Sequence, residues 1–143
     1  MNIHKRFLML GMAVFIAAGC ATTPQVTRTG QVKDVMIREN VSPSSMTVKP
    51  GDEIRWINRR TGPVRIIFLQ PVEDKISCQR GFSGIREAVG MGNASTTTLD
   101  ANESASLCFS KPGEFRYTVR MQADAPGGEI NEPGTIRVQE TGS

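Results

Sequence analysis

Residues 45–58 read Ser45-Met46-Thr47-Val48-Lys49-Pro50-Gly51-Asp52-Glu53-Ile54-Arg55-Trp56-Ile57-Asn58. Met46 and Val48 alternate with polar neighbours, the period of a strand with one buried face. Pro50-Gly51-Asp52 then supplies a fixed φ, a permissive backbone and a side-chain acceptor, which together make a tight turn. Alternation resumes after it, with Ile54 and Trp56 on one face and Arg55 and Ile57 on the other.

The same period extends in both directions. Val35 and Ile37 form a run upstream. Downstream, Val64, Ile66 and Phe68 share one face while Arg65, Ile67 and Leu69 share the other, and apolar groups on both faces predict a central or partly covered strand. Residues 70–94 break the pattern: they hold Cys78, several glycines and one predicted helical turn, Ile85 to Val89, with Ser83 near its start and Gly90 at its end. Alternation returns at Thr96 to Leu99, at Ala105, Leu107 and Phe109, at Phe115, Tyr117, Val119 and Met121, and at Ile136 and Val138. Short strands punctuated by Gly and Pro, with almost no helix, predict an all-β sandwich of two sheets.

The chain has 143 residues, enough for one domain. His4, Lys5 and Arg6 precede an apolar run from Phe7 to Ala18, and twelve such residues fall short of the ~20 that span a bilayer. Residues 1–19 therefore read as a secretory signal. Removing Lys5 and Arg6 with it lowers the net charge from +3 to +1, so a nucleic-acid footprint is not expected. The single histidine, His4, leaves as well, which rules out Ser/His/Asp and Cys/His catalysis and histidine-based zinc or copper sites. Ala21 to Gly30 is polar and Thr-rich and reads as a tether, giving a signal at 1–19, a tether at 20–32 and a domain at 33–140.

Ala17-Ala18-Gly19-Cys20 resembles the lipobox of bacterial lipoproteins, although Ala17 stands where Leu is usual. The resemblance implies that Cys20 takes a diacylglycerol and that several acyl chains anchor the mature protein. Ala21 is not the Asp that would resemble an inner-membrane retention signal, so the outer membrane, on its periplasmic face, is the expected address. Cys78 and Cys108 remain. An even pair in an oxidising compartment predicts a disulfide, the alternatives being two separately buried thiols or a thiolate metal site.

Residues 45–58 also resemble the cupredoxin signature, in which a Pro/Gly turn leads into apolar-x-Trp-apolar-Asn. Phe109-Ser110-Lys111-Pro112-Gly113-Glu114-Phe115-Arg116-Tyr117 is similar to that family's Pro-Gly turn followed by aromatic-x-aromatic, and Gly134-Thr135-Ile136-Arg137-Val138 to its closing strand. The resemblance implies a cupredoxin-like Greek-key β-sandwich of about seven to eight strands with one long insertion containing a short helix. A type 1 copper site needs two His nitrogens, a Cys thiolate and a weak axial Met. By position these fall at Val64, at Val119, near Met121 or Gln122, and near Glu132, so all four donors are replaced. Val64, Val119 and Met121 are expected to close that end by packing.

No catalytic residue, metal or cofactor is expected. The reading that remains is a non-enzymatic module that binds an envelope protein or an anionic ligand. Its pointed feature is Arg59, Arg60 and Arg65, three guanidiniums suited to carboxylate or phosphate at the rim of the closed end; the plainer account is a solvated charged turn. The alternative is copper handling by Met and Cys, from Met36, Met46, Met91 and Met121, but no Met-x-Met or Met-x-x-Met cluster is present and core packing accounts for Met46 and Met121. Adjacent carboxylates at Asp52-Glu53 and Glu73-Asp74 point to opposite faces of an extended chain, so neither makes an acid/base couple. Asp124 to Glu132 lacks the spacing of a calcium loop.

Overall fold

The computed structural model describes residues 30–84 and 95–140. The signal, Cys20, the helical turn at Ile85 to Val89 and Met91 lie outside the described residues.

Among the described residues the chain forms β1 (Val32–Ile37), β2 (Val41–Ser42), β3 (Ser45–Val48), β4 (Glu53–Asn58), β5 (Val64–Phe68), β6 (Ile76–Arg80), β7 (Ser83–Gly84), β8 (Ser95–Leu99), β9 (Ser104–Phe109), β10 (Gly113–Gln122) and β11 (Glu129–Val138). One sheet runs β2-β1-β4-β9-β6 and the other β3-β11-β10-β5-β8-β7. Both are mixed: β1 runs parallel to β4 and β3 parallel to β11, while the remaining pairs are antiparallel.

The Pro50-Gly51-Asp52 turn carries the chain from one sheet to the other, since β3 and β4 belong to different sheets. Gly51 adopts φ +90°, a conformation that costs glycine little, and its N–H donates to the Phe109 carbonyl at 2.7 Å. The buried Asp52 carboxylate accepts from the Gln31 and Lys49 N–H groups at 2.9 and 3.0 Å. One turn thus fastens the entry of β1, the end of β3 and the end of β9.

Alternation in the sequence becomes the core. Ile54 and Trp56 are fully buried, as are Ile66, Phe68, Leu107, Phe109, Tyr117 and Val119. Trp56 meets Phe68 and Tyr117 edge to face, with centroids 5.8 and 5.5 Å apart, the geometry that aromatic quadrupoles favour. Trp56 Nε1 and the Tyr117 hydroxyl are buried side-chain polar atoms without a hydrogen-bond partner among the described residues. Burial raises the Tyr117 phenol above its ordinary value, and the neighbouring Trp56 partly opposes that shift.

Residues 70–84 are more ordered than their composition indicates. A 3-10 turn at Glu73–Lys75 leads into β6 and β7, with Val72 and Phe82 buried in the core on either side. Strand β6 is an edge strand whose side chains do not alternate cleanly between buried and exposed, so periodicity does not reveal it. A disulfide joins Cys78 to Cys108 on β9, its register partner, with Cα atoms 4.9 Å apart.

Candidate functional site

At the end of the sandwich remote from the Asp52 turn, four segments converge: residues 58–64, the end of β8, the end of β10 and the start of β11. Asn58 organises them. Its fully buried Nδ2 donates to the Gly62, Leu99 and Asp100 carbonyls at 2.9, 3.0 and 3.1 Å, and its Oδ1 accepts from the Arg60 N–H at 2.9 Å. The last residue of the apolar-x-Trp-apolar-Asn run is therefore the internal brace of the loop that follows.

Of the positions where the family resemblance places copper donors, Val64, Val119 and Met121 present hydrocarbon and thioether, and the fourth carries Glu132. Val64 and Met121 are cross-strand partners on β5 and β10, each about 1% exposed. Val119 lies two rungs deeper, opposite Ile66 on one side and Glu132 on the other, and the side chains of Val64, Val119 and Met121 all belong to the main core cluster. From Val119 to Glu132 the chain is a hairpin paired from Val119↔Glu132 to Gln122↔Glu129, so no long ligand-bearing loop separates these strands. Val has no donor, Met121 is committed to the core, and no group of three or more His, Cys, Asp or Glu side chains able to hold a metal occurs among the described residues. Type 1 copper does not fit this end.

The arginines of the rim take three different roles. Arg60 is a clasp: its Nη1 donates to the Arg38 carbonyl at 2.9 Å and its Nη2 to the Gln122 carbonyl at 2.8 Å, tying the end of β1 to the end of β10. Arg59 follows β4 with its backbone N–H on the Ile37 carbonyl and its side chain exposed. Arg65 stands on the outer face of β5, its Nε donating to the Thr96 hydroxyl at 3.3 Å. The structure brings Arg60 and Arg65 to the same end and adds Arg120, which sequence reading missed. Arg120 faces Arg65 in register across β5 and β10. Its trace in the sequence is the polar half of the alternation in β10, where Arg116, Thr118, Arg120 and Gln122 interleave with the buried set.

Arg65, Arg120, Thr98, Gln122 and Glu129 line an open groove of about 420 Å³, together with the apolar Pro63, Val64 and Met121 and with Gly127 and Gly128. Arg120 Nε lies 4.0 Å from the Glu129 carboxylate. At the other end of the same sheet face the electrostatics are balanced, since Arg116 and Arg137 both donate to Glu114, at 3.0 and 3.1 Å. Those guanidiniums hold the Glu114 carboxyl below its usual range.

A two-sheet sandwich whose apex carries neither His nor Cys among the described residues defines a cupredoxin-like domain that lacks the type 1 ligands. No family model matches the chain. It is 30% identical over 130 residues to the plastocyanin of Nostoc punctiforme, covering 89% of this chain and 81% of that protein. Among solved structures it is similar to a Cu(I) amicyanin variant, at TM-score 0.49 and 20% identity over 76% of this chain and 82% of that one. It is similar to a reduced amicyanin variant at TM-score 0.49 and 19% identity, with the same coverage. The chain belongs to the cupredoxin family of which plastocyanin is a member.

Proposed function

We propose that this protein is an outer-membrane-anchored periplasmic lipoprotein whose copper-free cupredoxin-like domain is a non-enzymatic binding module for an envelope partner or anionic ligand. The observation that carries the reading is the apex itself, where Val64 and Met121 meet across the strands in place of donors and guanidiniums stand around them. The Cys20 lipobox supports the anchor. Copper handling by Met and Cys is disfavoured: Cys78 and Cys108 are bonded to each other, Met121 is buried on β10, and Met36 sits on β1 in the opposite sheet.

Two measurements test this. The purified protein should contain no stoichiometric copper and show no visible absorption band, before or after incubation with Cu(I) and Cu(II); tight one-to-one uptake would overturn the binding-module reading. Cys20→Ser should move the protein from the outer-membrane fraction to the soluble periplasm or leave it unprocessed at the inner membrane. Retention of that variant on salt-washed outer membranes would overturn the anchor.

A further inference from the structure

Strand register lays one polar rung across four strands near the apex: Thr98 on β8, Arg65 on β5, Arg120 on β10 and Asn131 on β11. Two guanidiniums stand directly opposite each other in its centre, on strands that such sheets space by about 4.8 Å. Like charges so placed repel and weaken a sheet unless something compensates them. At the far end of this face Glu114 compensates Arg116 and Arg137 with two close hydrogen bonds. Near the apex, Glu129 reaches Arg120 only at 4.0 Å and shares its Oε1 with the Asn131 amide. Arg65 has a hydroxyl for a partner, and Arg60, on the Gln122 carbonyl beside the groove, donates to carbonyls alone.

Two guanidiniums, Arg65 and Arg120, therefore line a groove that holds one carboxylate, Glu129, with the Arg60 clasp beside it. We propose that the Arg65–Arg120 rung binds a phosphate group, inorganic or on a soluble ester, in the groove walled by Thr98, Gly127 and Gly128. A tetrahedral phosphate offers three or four oxygens, enough to engage two forks on adjacent strands at once, whereas a lone carboxylate satisfies one fork. This names the ligand chemistry of the binding module proposed above and rests on that reading.

The point at which the described chain begins argues for a dissolved ligand rather than a headgroup of the anchoring membrane. Gln31, just before β1, is held beside Asp52 at the opposite end of the sandwich. Strand β4 runs from that end to Asn58, and its six residues span about 20 Å. The rung faces away from the point where the chain enters.

The experiment is a titration of the full lipoprotein, in neutral detergent at constant ionic strength, with inorganic phosphate replacing chloride, followed by the arginine Nε–H resonances. Arg65 and Arg120 should shift saturably while Arg116 and Arg137 stay in place. Arg65→Gln and Arg120→Gln should each weaken phosphate binding by about tenfold or more, the scale of a lost charge-assisted contact. Both side chains are exposed, so the backbone spectrum should remain native. Linear shifts without saturation, equal responses at Arg116 and Arg137, or unchanged affinity in both variants would overturn the site. Displacement of phosphate by phosphatidylglycerol vesicles would overturn the assignment to a dissolved ligand. None of these outcomes depends on metal content, so failure of this proposal is separable from failure of the binding-module reading.

Discussion

Replacing Cys78 and Cys108 together by Ala removes a cross-link that closes a separation of 30 residues. Its main effect is expected in the unfolded chain, where an open loop of this length gains conformational entropy worth about 3.6 kcal/mol at 25 °C. The native register supports that assignment. Gln79 and Arg80 continue to pair with Leu107 and Ser106, and Val72 and Phe82 hold the segment to the core from both sides, so the fold keeps its connections without the bond. For a domain whose total stability lies in the usual range of about 5–15 kcal/mol, a quarter or more of it is lost. The assay is urea unfolding followed by far-UV circular dichroism. The variant should keep the native spectrum, unfold at a markedly lower midpoint, and show a steeper denaturant dependence because its unfolded state is less compact. A loss below about 1 kcal/mol with an unchanged slope would refute the reasoning, since it would mean the bond constrains nothing that the sheet does not already fix.

Asn58→Ala should cost about 2–4 kcal/mol in the same assay, because the Leu99 carbonyl and the Arg60 N–H lose their partner together at the apex; a loss under about 1 kcal/mol would show that the loop is braced elsewhere. Gly134→Ala should cost about 1–3 kcal/mol or more in urea, because a Cβ there would overlap the ring and hydroxyl of the buried Tyr117 across the β10–β11 pair; wild-type stability would refute the close packing. Tyr117 is the sole tyrosine, so its ionisation is visible alone at 295 nm. Its phenol is raised above the ordinary value of 10.0, so the neutral form is the one the fold favours: the contribution to stability is complete below about pH 10 and is lost as pH rises through the higher folded value. Tyrosinate should form above pH 10 or together with unfolding, and a native-state midpoint at or below pH 10 would contradict that. Glu114 is shifted the other way by Arg116 and Arg137, so its contribution is present above the usual carboxylate range and fades as pH falls through its lowered value. Glu114→Gln should flatten the acid limb of the stability curve; an unchanged limb would show that the two bridges are inert.

The sequence by itself determined the chemistry that this protein does not have and the periodicity it does. A chain with a single histidine cannot build the two-histidine type 1 site, whatever its tertiary structure, and the alternations at Ile54 and Trp56 and at Phe115 to Met121 are local properties that any packing of the strands must bury on one side. The Pro50-Gly51-Asp52 turn was legible for the same reason, since its conformation follows from those three residues. Tertiary structure decided the rest. That β3 and β4 enter different sheets, that β6 pairs beside β9 although its own pattern is irregular, and that Arg120 stands opposite Arg65 all depend on register between strands far apart in the chain. Register is set by the summed burial of whole faces, and a shift of one residue turns every side chain to the other side of the sheet. Arg59, Arg60 and Arg65 are neighbours in sequence, yet pairing made one of them a clasp, left one in solvent and gave the third a partner more than fifty positions away.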